Sequence, residues 1–147
     1  MENKLIEQLN AVMLTGFDIP TPIKKLYEWI EANNLYIDNE GGRIGFLYPE
    51  RELKESWTDT GRDGGTNIGF TASGNVNLKY WFGAENAEVN QRLCVFGQTG
   101  AEGSECAFWI SDGNELKIVH LGSGSGSTLN CILADNAVDF LRLLAIG

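Results

Sequence analysis

The stretch from Cys106 to Gly126, CAFWISDGNELKIVHLGSGSG, constrains the fold more than any other part of the chain. Ala107, Phe108, Trp109 and Ile110 form a short apolar run, and Lys117-Ile118-Val119-His120-Leu121 forms a second. Between them lies Ser111-Asp112-Gly113-Asn114, where Gly and Asn accept positive φ at low cost. Two strand-like runs around a Gly-containing connection predict a β-hairpin. Apolar residues follow one another on both strands, so both faces of the hairpin should be covered. Such a hairpin belongs inside a sheet and not at its edge. It is expected at the centre of the fold.

The flanking sequence supplies the other layers. Leu5, Ile6, Leu9, Val12 and Met13 recur at helical spacing, and Gly16 is the expected stop. Thr21 can cap a second helix with Pro22 in its first turn, Ile23, Leu26, Tyr27 and Ile30 as its buried stripe, and Asn33-Asn34 as its end. From Arg43 the pattern changes to strands: Arg43–Tyr48, Thr66–Thr71 with a period of two, Asn77–Phe82, Arg92–Gly97, the hairpin, and Ser127–Ile132. A third helix closes the chain, capped by Asp135 or Asn136. Its residues Val138, Phe140, Leu141, Leu143, Leu144 and Ile146 leave little polar face, so it should be largely buried. Helices segregated from a run of antiparallel strands predict an α+β fold. The expectation is a single domain over 1–147, with a mostly antiparallel sheet of about six strands, two N-terminal helices and one C-terminal helix.

Charge narrows the partners. With 11 basic and 20 acidic residues the chain carries a formal net charge of -9. Phosphates and anionic lipid surfaces would be repelled, which argues against nucleic acid and membrane and permits a basic protein partner. The three cysteines lack a Cys-x-x-Cys spacing, and the single histidine cannot complete a zinc set. Free thiols in a reducing compartment, no basic-then-apolar leader pattern and no apolar run of spanning length together predict a cytoplasmic protein.

Signals for catalysis are sparse. Gly122-Ser123-Gly124-Ser125-Gly126 invites a phosphate-loop reading, but it runs between two strands and no Lys or Arg follows until Arg142. A tight strand connection is the simpler account. His120 shares a strand face with Ile118 and has no orienting carboxylate in sequence, so a structural histidine is expected. Asp59, Asp63, Asp112 and Glu115 do not reproduce a calcium loop. No catalytic residue, cofactor or metal is expected.

The aromatic and acidic residues are more telling. Glu50, Glu52, Glu55, Asp59 and Asp63 form an acidic run beside Trp57, and Trp81 follows Tyr80 in a segment near charged and Gly-rich sequence. Aromatic rings rimmed by charge are anchors of protein interfaces, and an acidic rim speeds association with a basic partner. Glu50, Glu52, Glu55, Trp57, Asp59, Asp63 and Trp81 are the candidate partner-binding residues. For Trp81 the competing reading is a ring that fills the core from a covered strand.

An ordered set of segments resembles the SUKH superfamily, the Smi/Knr-type domain of fungal regulators and many bacterial immunity proteins. It begins with Asp18-Ile19-Pro20 leading into a helix with Leu26 and Trp29, then Gly41-Gly42 before Ile44-Gly45. Leu93–Gly97, Ala107–Ile110 and Ile118–Ser123 follow, and Ala134-Asp135-Asn136 precedes Phe140–Gly147 at the end. The match is weakest from Glu50 to Gly65. The resemblance implies an α+β fold with helices packed on an antiparallel sheet and a non-enzymatic binding role. It implies an immunity protein that neutralises a cognate bacterial toxin in the cytosol by direct binding and occlusion. Many such toxins are nucleases with basic surfaces. The alternative it implies is a regulatory scaffold domain that docks onto host proteins.

Overall fold

The computed structural model describes residues 3–49, 68–72, 74–83, 87–99, 104–122 and 130–146. The chain opens with α1 (Lys4–Val12) and α2 (Thr21–Ala32). Asn3 caps α1, its Oδ1 accepting the Ile6 amide at 3.0 Å, and Leu5 and Leu9 face the core. The helix stops at Val12, ahead of the expected Gly16, whose φ of +86° turns the chain. Thr21 is the first residue of α2 and does not cap it: Pro20 holds the cap position without a side-chain bond, and Pro22 lies in the first turn. Asn34, at φ +56°, ends the run after Asn33, as the sequence suggests.

Among the described residues seven strands follow in one antiparallel sheet: β1 (Tyr36–Asn39), β2 (Gly42–Phe46), β3 (Gly69–Phe70), β4 (Leu93–Gln98), β5 (Glu105–Ile110), β6 (Leu116–Leu121) and β7 (Asn130–Ala134). Each pairs with the next in sequence, so spatial order is β1 to β7 without crossovers. The α+β class holds. The strand beyond the expected six is β1, joined to β2 through Glu40-Gly41, with Asn39 opposite Gly42. The β5–β6 hairpin is present, with Phe108 opposite Ile118, and it lies inside the sheet. It is not the centre, however. That place belongs to β4, where Leu93 through Phe96 are all buried because both faces of this strand are covered.

The predicted strand over Asn77–Phe82 is helical instead. A 3-10 turn over Gly74–Asn77 leads into α3 (Lys79–Phe82), and α4 (Ala87–Arg92) follows before β4. Tyr80-Trp81-Phe82 has high strand propensity, but position overrides it: the Asn75 side chain takes the Leu93 carbonyl and the Val95 amide of β4, the ladder groups a further strand would use.

One face of the sheet packs under α1, α2 and the closing helix α5 (Ala137–Ile146). Phe70, Phe96 and Phe108 line up across β3, β4 and β5, with centroids 6.4 and 4.1 Å apart in stacked pairs. Phe140 of α5 meets Phe96 edge-on at 5.5 Å, and Tyr27 of α2 meets Phe70 the same way at 5.5 Å. Gly45 allows α1 and α2 to sit close on β2: a Cβ there would lie 2.8 Å from Leu5 Cδ1 and 3.2 Å from Ile30 Cγ2.

Arg43 ties the first four elements together. Its guanidinium forks onto Asp38 at 2.8 and 2.9 Å, reaches Glu31 at 2.7 Å and lies 3.6 Å above the Tyr36 ring. Glu31 in turn accepts the Leu5 amide at 2.8 Å, so α2 holds the start of α1.

α5 is less buried than its composition suggests. Asn136 caps it, its Oδ1 accepting the Asp139 amide at 2.9 Å. Ala137 and Phe140 are buried, yet Val138 is 46% and Leu143 40% exposed. The helix lies over β6 and β7 with α2 beside it, so only one stripe of its surface is covered.

Candidate interaction surface

The sheet face opposite α1, α2 and α5 carries a thinner cover made by the 3-10 turn, α3 and α4. Its buried residues are Leu78, Leu93, Val95, Ala107 and Leu121, with Trp81, Val89, Trp109 and Val119 packed around them. Polar side chains pin this cap to the sheet. Asn75 acts as a piece of strand: its Nδ2 donates to the Leu93 carbonyl at 3.1 Å and its Oδ1 accepts the Val95 amide at 2.7 Å. Asn77 Nδ2 donates to Glu105 Oε1 at 2.8 Å, and Trp81 Nε1 donates to the Gly122 carbonyl at 2.9 Å.

With Asn75, Asn77, Leu78 and Trp81 turned inward, helical geometry sends the intervening side chains outward. Val76 is 71%, Tyr80 76% and Phe82 44% exposed. The Lys79 ammonium lies 5.5 Å from the Tyr80 ring centroid. At the far end of the cap, Arg92 donates to the Ile110 carbonyl at 3.1 and 2.8 Å and to Asp112 at 2.9 Å, with its guanidinium 5.7 Å from the Trp109 ring. Exposed large apolar side chains flanked by charge have the composition of an interface core and rim.

Of the candidate binding residues, Trp81 is placed here. It is half-buried, with its indole nitrogen engaged, so it forms the floor of the patch from a helix and not from the covered strand considered in sequence. Glu50, Glu52, Glu55, Trp57, Asp59 and Asp63 lie outside the described residues. Val76 and Phe82 carry no sequence signal when Asn77–Phe82 is read as a strand. The i, i+4 spacing to Tyr80 is the pattern that marks Val76, and Phe82 is the last residue of α3 before Gly83 turns the chain at φ +80°.

Beneath the cap is Glu105, which sequence reasoning passed over. It is 1% exposed, between Gln98 of β4 and Leu121 of β6. Its Oε1 takes the Asn77 bond, and its Oε2 has no hydrogen-bond partner among the described residues. Burial pushes its pKa up, and the Asn77 amide pulls it partly back.

The other chemical candidates are spread out. His120 lies half-buried on β6, opposite Cys106 of β5 and Cys131 of β7. Burial pushes the Cys94 thiol up to about 11 and raises Cys106 further, which keeps both protonated and unreactive at neutral pH. Of the Gly122–Gly126 stretch only Gly122 is described. Its carbonyl accepts Trp81, and its amide donates to Asn130 Oδ1 at 3.1 Å. Among the described residues, no group of three or more His, Cys, Asp or Glu is placed to hold a metal ion, and no helix is long and apolar enough to cross a membrane. Comparison of the chain with protein-family models, curated proteins and solved structures returns no match.

Proposed function

We propose that the chain is a non-enzymatic protein-binding domain, an immunity protein of the SUKH type that acts in the cytoplasm. On this reading it neutralises a cognate bacterial toxin by direct binding and occlusion. The observation that carries the reading is the outward display of Val76, Tyr80 and Phe82 from a cap whose inward side chains are all committed to the sheet. Side chains exposed at this cost in apolar area are free to anchor a partner. The net charge of -9 supports a partner with a basic surface, and a nuclease, whose phosphate-binding groove is cationic, has that character.

The test is coexpression with candidate nuclease toxin domains, taken first from any secreted protein whose reading frame adjoins the one encoding this chain, followed by purification of the complex. Protection of growth and a complex that weakens with added salt are the expected results. Tyr80→Asp together with Phe82→Asp should abolish protection while the melting temperature stays within the scatter of the parent chain. Toxin activity that persists at every expression ratio defeats the proposal. Recovery of several endogenous host proteins instead of a toxin assigns the same surface to a regulatory scaffold.

A further inference from the structure

The two edges of the sheet are treated differently. At β1, Asp38 stands on the edge strand in a fork with Arg43 and within 3.9 Å of the Lys4 ammonium. Charge on an edge strand deters pairing with another chain, since the pairing would desolvate it. At β7, Asn130-Cys131-Ile132-Leu133-Ala134 has no charged residue and no proline. The stretch without Lys, Arg, Asp or Glu in fact extends from Ile118 to Ala134, 17 residues in a chain of net charge -9. Among the described residues the guard on β7 is a register shift against β6 between Ile118 and Val119.

Both sides of that edge also show apolar surface. On the capped face Ile132 is 50% exposed, opposite Val119. On the other face α5 lies over β6 and β7 and leaves Val138 and Leu143 46% and 40% exposed. Among the described residues no strand pairs with the outer side of β7, and an open backbone ladder with apolar side chains above and below it is what β-strand addition requires. From these features we infer that the occupant is a second copy of this chain, with β7 pairing antiparallel to β7 of the other copy across a two-fold axis.

The charge distribution selects that occupant. Two chains of net charge -9 repel one another, so contact is favoured where the local sequence is neutral, and β7 is the neutral edge. A basic partner would gain nothing from that neutrality. A two-fold axis brings the same strand to itself, matching apolar with apolar, and joins the sheets into one. It also sets the α5 helices on the same face, side by side across the join, covering part of the surface that each leaves open.

The test is mass and hydrogen exchange measured on the intact chain over a range of concentrations. Light scattering should give twice the 16.2 kDa chain mass at high concentration, falling to the single mass on dilution. Amides of β7 should exchange more slowly in the concentrated sample, while those of β1 exchange at the same rate in both. Ile132→Lys should hold the chain at the single mass throughout, with an unchanged far-ultraviolet spectrum, and Val138→Glu should shift the midpoint of association to higher concentration. If Ile132→Lys fails to fold, the exchange pattern of the parent chain decides alone. A single mass at every concentration overturns the proposal. So does a dimer that Ile132→Lys leaves intact, or concentration-dependent protection on β1 or residues 74–83 in place of β7.

Discussion

Under α1, α2 and α5 the sheet holds a row of fully buried rings, Phe70, Phe96 and Phe108, closed by Phe140 and Tyr27. On the opposite face a cap of three short helical pieces shelters a few aliphatic residues and leaves Val76 and Tyr80 in solvent. The first face is held by dispersion and area removed from water, which no single polar contact dominates. The second is held by side-chain hydrogen bonds at Asn75, Asn77 and Trp81. Stability should therefore concentrate on one face and recognition on the other.

That contrast can be broken by substitution. Phe96→Ala should cost about 3–5 kcal/mol, enough to unfold much of the population, because its aromatic neighbours Phe70, Phe108 and Phe140 cannot collapse into the space; a chemical-denaturation midpoint close to the parent would contradict it. Asn75→Ala should cost roughly 1–3 kcal/mol, since it leaves the Val95 amide and the Leu93 carbonyl without their partner. Its effect should be local, with faster exchange over residues 74–92 and the Phe stack still protected. Equal loss of protection on both faces would show that the two are one cooperative unit.

Glu105 sharpens the comparison through pH. Its folded pKa is raised, so its contribution to stability is complete below the ordinary carboxylate value of 4.5 and is lost as pH rises through the folded value. Glu105→Gln should flatten the fall of stability as pH rises above the ordinary carboxylate value of 4.5 and leave the chain more stable than the parent at the upper end. A thermal-melt series on the two chains reads both slopes; an unchanged slope would mean that the carboxyl is not titrating beneath the cap. Tyr80→Ala is the smallest expected change, within about 0.5 kcal/mol of the parent by denaturation, although under the proposed function it should weaken binding of the partner. A large loss of stability there would assign Tyr80 to the core.

Where the sequence pattern was strong, it led to the right element. The helical stripes of α1 and α2 and the paired runs of β5 and β6 are visible because one physical rule, burial of a periodic face, governs them. β1 was missed because Tyr36-Ile37-Asp38-Asn39 is short and half polar, and its partner Arg43, which gives Asp38 a reason to be there, is brought alongside only by the hairpin. Tyr80-Trp81-Phe82 misled because propensity is local, while the cap is set by Asn75, whose role depends on β4 arriving beside it. The same holds for the interaction surface. Trp81 was singled out for its ring, but its exposed neighbours Val76 and Phe82 are recognisable only once the segment is known to be helical. Glu105 gives no sequence signal at all, since its burial is created by strands on either side.

The side-chain clamp of Asn75 has a consequence for variation. Because two bonds from one amide stand in for part of a backbone ladder, the exposed residues beside the clamps, unlike buried Leu78, carry little duty to the framework. Positions 76, 79, 80 and 82 can be rewritten wholesale while the scaffold beneath stays as it is. A lineage under pressure to meet a changing adversary would find there a place to diversify at little risk to folding.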